Sequence, residues 1–144
     1  MEKRMNMPQL EPEAYKLLMG LEKYLTTTEV TPIHKELIKT RASQINGCAF
    51  CLDMHTKDAR KYGETEQRLY TLSTWRETPY FSAEEKAILS LTEEVTLIAN
   101  HVSDKTYNEA VALLGEKYIA QVIMVIITIN AWNRFAITTG LMPQ

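Results

Sequence analysis

Eleven consecutive residues, Ile119 to Ile129, form the most apolar stretch of the chain, and they limit the folds open to it. A bilayer span needs roughly 20 such residues, so the stretch reads as the buried part of a helix over about 117–138 that stops before Gly140. The β-branched run from Val122 to Ile129 also suits a strand, but no second strand-like segment exists to pair with it, and its length favours a helix. A helix that is apolar nearly all round must be covered on every side. In a chain of 144 residues that is hard to achieve alone, so one face is expected to meet a neighbouring subunit. The alternative is a central core helix in a monomer.

The rest of the sequence is punctuated as helices. Ala14, Leu17, Leu18, Leu21 and Leu25 recur at spacings of three and four after Pro12, and Thr26-Thr27-Thr28 ends that pattern. Thr31 and Pro32 suit the N-cap and first position of a second helix with an apolar stripe of Ile33, Leu37, Ile38 and Ile45, stopped by Asn46-Gly47. A third helix is expected from the cysteine pair to about Tyr62-Gly63, and a fourth over about 65–76, closed by Thr78-Pro79. Ser82-Ala83-Glu84-Glu85 is a capping box opening a fifth helix through Ile88, Leu89, Leu91, Val95 and Ile98. Ser103-Asp104 caps a sixth that ends at Leu114-Gly115. The fold class is therefore all-α, with about six to seven helices in a single domain over residues 1–144.

Composition narrows the function classes. Charged residues make up 24% and the net charge is −2, so nothing calls for nucleic acid or an anionic membrane as partner. The first eight residues carry charge without an apolar core behind them, so no secretory signal is expected and the expected compartment is the reducing cytosol. There, two cysteines separated by two residues point to redox or metal chemistry rather than a structural staple.

Cys48 and Cys51 are that pair, and they open a helix. Free backbone N–H groups and the positive dipole end at a helix N-terminus stabilise an anion, here the thiolate that acts as nucleophile. His55 lies four residues after Cys51 and seven after Cys48, so all three project from one helical face. An imidazole there can take the thiol proton and remain beside the thiolate as a cation. Glu36 and Ser43, seven apart on one face of the preceding helix, are candidates to orient His55 if the Asn46-Gly47 turn lays the two helices side by side. The dipole favours Cys48 as the thiolate; the imidazole favours Cys51.

Glu36, then Arg41-Ala42-Ser43-Gln44-Ile45-Asn46-Gly47-Cys48-Ala49-Phe50-Cys51-Leu52-Asp53-Met54-His55, resembles the core motif of the AhpD-like alkylhydroperoxidases within the carboxymuconolactone decarboxylase superfamily. Asn130-Ala131-Trp132-Asn133-Arg134 is similar to that family's last helix. The resemblance implies an all-helical, AhpD-like domain that assembles into trimers or hexamers and reduces peroxides, an antioxidant activity. It further implies Cys51 as the peroxidatic residue, Cys48 as the resolving one, Glu36 and His55 as a proton relay, and an external dithiol of protein or lipoyl type as reductant. Phe50 stands where well-studied members carry a second His, which implies a shorter relay.

Three other readings compete. Zinc could take Cys48, Cys51 and His55 with Glu36, His34 or His101 as a fourth ligand, but structural zinc usually draws on two separated ligand pairs, so neither metal nor cofactor is expected. A disulfide reductase would use the same pair on another substrate, and a redox sensor would use it to change assembly. The superfamily's decarboxylases generally lack the CxxC. His34 and His101 are read as surface residues. Trp132, Asn133 and Arg134 are read as lining the site or an interface, with plain packing as the alternative.

Overall fold

Local capping sets the helix boundaries in the computed structural model, which describes residues 4–143. After a four-residue α1 (Met7–Leu10), Pro12 starts α2 (Pro12–Leu25). The Thr31 hydroxyl accepts the His34 N–H and opens α3 (Pro32–Asn46), and Gly47 closes it in the left-handed region at φ 69°, which a residue with Cβ adopts only under strain. Cys48 is the N-cap of α4 (Ala49–Lys61). Thr65 caps α5 (Glu66–Thr71), and Ser82 with Glu85 closes the expected capping box on α6 (Ala83–Thr96). Ser103 caps α7 (Asp104–Leu114), and α8 (Glu116–Thr139) ends at the left-handed Gly140. The described residues contain no strand.

The all-α reading stands, with three corrections. Eight α-helices are present among the described residues rather than six to seven, because α1 was not anticipated. The helix expected over 65–76 breaks after Thr71 into a 3₁₀ turn, Leu72–Glu77, in which Thr74 leaves helical geometry. The helix expected through Ile98 stops at Thr96, and Ile98 lies in a second short 3₁₀ turn, 58% exposed. The α2 stripe is also less buried than its period implies. Leu25 is buried, but Leu17 is 74% exposed, because α2 packs mainly on α1 and α8 at the edge of the fold.

The core forms around α8 and α3. Ile119, Val122, Val125, Ile126 and Ile129 of α8 are buried together with Ile38 and Ala42 of α3, Ile88 and Leu91 of α6, and both cysteines. On the opposite side of α3, Leu37 joins Leu72, Trp75, Phe81 and Leu89 in a second cluster. Each such side chain contributes about 1.5–3 kcal/mol on full burial. By length and composition α8 is apolar enough to cross a bilayer; here it is the helix on which α2, α3, α6 and α7 pack. It is not covered on every side, since Ile127 remains 45% exposed.

Candidate active site

The Asn46-Gly47 turn lays α4 back along α3, so the two run antiparallel and in close contact. Two contacts fix their register. The Cys48 N–H donates to the Ser43 carbonyl at 3.0 Å, and farther along Glu36 Oε2 lies 2.9 Å from His55 Nδ1. Glu36 and His55 are both buried. This is the pairing expected for Glu36. It fixes which imidazole nitrogen faces the carboxylate and leaves Nε2 for the cavity that His55 lines with Cys51.

Cys48 and Cys51 are joined as a disulfide, with their Cα atoms 5.4 Å apart. Both sulfurs lie in the core, the residues 2% and 1% exposed. Cys48 Sγ accepts the Cys51 backbone N–H at 3.3 Å, so the helix N-terminus serves Cys48. Cys51 and His55, by contrast, line a cavity of about 220 Å³ with Phe50, Met54, Tyr15, Trp132 and Phe135. Tyr15, Trp132 and Phe135 stack mutually, with ring centroids 5.4–5.9 Å apart. This packing makes the wall apolar and stiff.

A second, larger cleft of about 570 Å³ lies behind the first and shares Tyr15, Phe50, Met54, His55 and Trp132 with it. Its other residues include Glu36, Asp58, Lys35 and Lys39. Burial, and then the neighbouring Lys39 ammonium, hold Lys35 below the usual lysine range. His55 thus stands between an apolar chamber holding sulfur and a charged cleft holding carboxylates.

Ser43 does not orient His55. Its hydroxyl accepts from Asn133 Nδ2 at 3.0 Å, and Asn133 Oδ1 accepts from Asn46 Nδ2 at 2.8 Å. Asn46 also donates to Asn130, which reaches Thr96. This buried amide network ties the turn before Cys48 to α8 and α6. Trp132 lines the cavity, Asn133 anchors the turn, and Arg134 is exposed and bonds back to Asn130. Asn133→Ala should therefore cost about 1–3 kcal/mol by leaving the buried Ser43 hydroxyl unpaired and removing one of the two contacts that hold Asn46. Urea unfolding measures this, and a loss below 0.5 kcal/mol, about the size of an ordinary surface substitution, counts against the anchoring role.

Of the residues weighed for zinc, Glu36 and His55 come together beside Cys51, while His34 and His101 lie elsewhere. The two sulfurs are bonded to each other, His34 Nδ1 lies 2.7 Å from the Tyr118 hydroxyl, and His101 is on the surface. His34 is half-buried rather than a surface residue, and burial lowers its pKa. Among the described residues, Glu36, His55 and Asp58 group their donor atoms within 4.8 Å; there Glu36 is engaged by His55, and Asp58 by Lys61 at 2.6 Å. The sequence reading missed Tyr15, Phe135 and Asp58. Asp58 follows His55 by three residues, a helical neighbour spacing that could have revealed it; Tyr15 and Phe135 come from distant helices and carried no local signal.

The model of the carboxymuconolactone decarboxylase family matches residues 12–94. The uncharacterized protein YdfG of Bacillus subtilis is 45% identical over 141 residues, covering 97% of this chain and 96% of its own. The chain belongs to the carboxymuconolactone decarboxylase family. Within that family it is AhpD-like. A crystal structure of a protein of unknown function from Agrobacterium tumefaciens, proposed to be an antioxidant defence protein AhpD, superposes with a TM-score of 0.96 at 37% identity over 99% of both chains. The debrominase Bmp8 shares the fold at 14% identity, with a TM-score of 0.85 over 94% of this chain and 74% of its own. The family takes its name from an enzyme activity, and the likeness to Bmp8 concerns the fold alone.

Proposed function

We propose that this chain is a thiol-dependent peroxidase reducing hydrogen peroxide or organic hydroperoxides through a Cys48/Cys51 dithiol–disulfide cycle. The observation that carries the reading is His55, held by buried Glu36 and sharing an apolar chamber with Cys51. In the reduced protein His55 takes the Cys51 proton, and Glu36 stabilises the imidazolium. The thiolate attacks one peroxide oxygen, the O–O bond breaks, and the other oxygen leaves as alcohol or water after receiving a proton from His55. Cys51 is then a sulfenic acid. The Cys48 thiol displaces its hydroxyl as water and closes the disulfide. An external dithiol reopens the bond by exchange.

The burial of both sulfurs favours a small peroxide over a protein disulfide as oxidant. By the same token it favours a slender dithiol, such as a lipoyl-type arm, over a bulky one as reductant. The reaction is placed in the cytosol, where such dithiols are kept reduced. The exposed Ile98 and Ile127 border an apolar groove between α6 and α8, which supports a homo-oligomer, a trimer or hexamer, closing over it. Light scattering at micromolar concentration should give a multiple of 16.6 kDa; a monomer would remove this element.

Stopped-flow mixing of the reduced protein with peroxide, followed by thiol counting, tests the cycle. Two thiols should disappear per peroxide consumed, at a rate well above that of free cysteine. Unchanged thiols, or a rate no greater than free cysteine, would overturn the reading.

A further inference from the structure

Thr40 is a fully buried polar residue that this mechanism leaves unused. It sits in the middle of α3 with no exposed surface. Among the described residues, its Oγ1 is the one buried side-chain nitrogen or oxygen without a hydrogen-bond partner. Leaving a buried hydroxyl unpaired is costly, and a native chain seldom does so without a reason. A helical threonine has a simple remedy, donating back to the carbonyl four residues earlier. Thr56, Thr71, Thr92, Thr128 and Thr139 all do so, at 2.8–2.9 Å. Thr40 does not.

The α3–α4 register names the missing partner. Glu36 meets His55 at one end of the pair, and the Ser43 carbonyl meets the Cys48 N–H at the other. Thr40 lies four residues after Glu36 and three before Ser43; Cys51 lies four before His55 and three after Cys48. In an antiparallel pair those offsets set Thr40 across from Cys51. With the disulfide closed, Cys51 Sγ is held by Cys48 Sγ and takes no hydrogen bond from Thr40; reduction frees the Cys51 side chain to turn, and a thiolate is a strong acceptor.

We propose that Thr40 is a positioning residue for the reactive sulfur: in the reduced protein its hydroxyl donates a hydrogen bond to the Cys51 thiolate. The proposal rests on the peroxidase reading only in taking Cys51 as the thiolate. It supplies Cys51 with a donor of its own, since the helix N-terminal N–H is aimed at Cys48. The hydroxyl is unpaired when the disulfide is closed and paired when it is open, so Thr40 favours the reduced state. The other ionisable groups around Cys51 are Cys48 and His55 of α4, Glu36 of α3 behind His55, and Tyr15 of α2. The α8 side chains that face it, Trp132, Phe135, Ala136 and Thr139, carry no charge.

Thr40→Val keeps the shape and removes the hydroxyl; Thr40→Ser restores it. Circular dichroism first checks that both variants keep the helical fold. Two measurements follow. With Cys51 as the sole thiol, in Cys48→Ser protein, iodoacetamide alkylation is followed against pH. In the two-cysteine protein, the disulfide is equilibrated with dithiothreitol. This reduction breaks the Cys48–Cys51 bond, transfers two electrons and two protons to it, and closes dithiothreitol into its cyclic disulfide.

Thr40→Val should move the alkylation profile to higher pH, lower the rate at pH 7 about tenfold, and lower the equilibrium constant for reduction about tenfold, equivalent to about 30 mV. Thr40→Ser should recover most of both. A purely structural threonine would leave both readouts in place. If Cys51 ionises below pH 8 with Thr40 present, and Thr40→Val changes neither readout, the proposal is overturned while the peroxidase reading stands. If Cys51 keeps its proton above pH 8.5 with Thr40 present, both fall.

Discussion

Replacing Cys51 by serine should end peroxide consumption, with a fall in rate on the order of 10⁴-fold or more, the scale seen when a covalent nucleophile is removed. Cys48→Ser should also end turnover with a dithiol donor, but in a different way. It should consume one peroxide per chain and stop at a Cys51 sulfenic acid, because no thiol remains to condense with it. The two variants together settle the conflict left by the local electrostatics. Cys48 receives the helix N-terminal N–H, whereas Cys51 shares a chamber with His55. A single-turnover burst with a sulfenic acid trapped in Cys48→Ser identifies Cys51 as the attacking residue. The same burst in Cys51→Ser would reverse the roles, and full turnover in either variant would end the dithiol mechanism. Serine is a good N-cap, so Cys48→Ser should keep the start of α4 intact.

Glu36→Gln should slow the reaction with peroxide by about 10²-fold, within the range set by loss of assisted proton transfer. The amide matches the carboxylate in shape and can still bond to the His55 ring, so the geometry persists while the charge is lost. The pair is nearly free of solvent, its side chains 6% and 8% exposed. In such a place a carboxylate beside an imidazolium is worth far more than at the surface. The loss should appear in the second-order rate with peroxide, and an exchange step in which the dithiol attacks Cys48 and expels Cys51 should slow as well, because the same pair stabilises the departing thiolate. An unchanged peroxide rate would reduce Glu36 to a structural partner of His55. Glu36→Leu goes further, leaving His55 nitrogen unpaired in the core, and should destabilise the fold by about 3 kcal/mol.

How much of this site could be read from the chain depends on how far apart its parts lie in sequence. The cysteines, the imidazole one turn on and the glutamate on the preceding helix sit within twenty residues, Glu36 to His55. Helical periodicity puts Cys48, Cys51 and His55 on one face, and a left-handed glycine at the turn folds α4 back on α3. The Glu36–His55 pairing follows from those local facts. The same reasoning put Ser43 beside His55 as well. It failed there because periodicity says which residues share a face, not which of the two helices packed against that face each will meet. Ser43, nearer the turn, meets α8 through Asn133 instead.

Local sequence patterns suffice for the all-α class, the caps, most helix boundaries and the shared face of Cys48, Cys51 and His55, because these depend on interactions within a few turns of one helix or across one tight turn. The surroundings of the sulfur depend on long-range packing. The Tyr15–Trp132–Phe135 wall, the charged cleft behind His55, the exposed stripe of α2 and the unpaired hydroxyl of Thr40 all depend on how helices remote in sequence come together. Packing of that kind is selected by shape and burial over the whole core, and no short-range pattern records it.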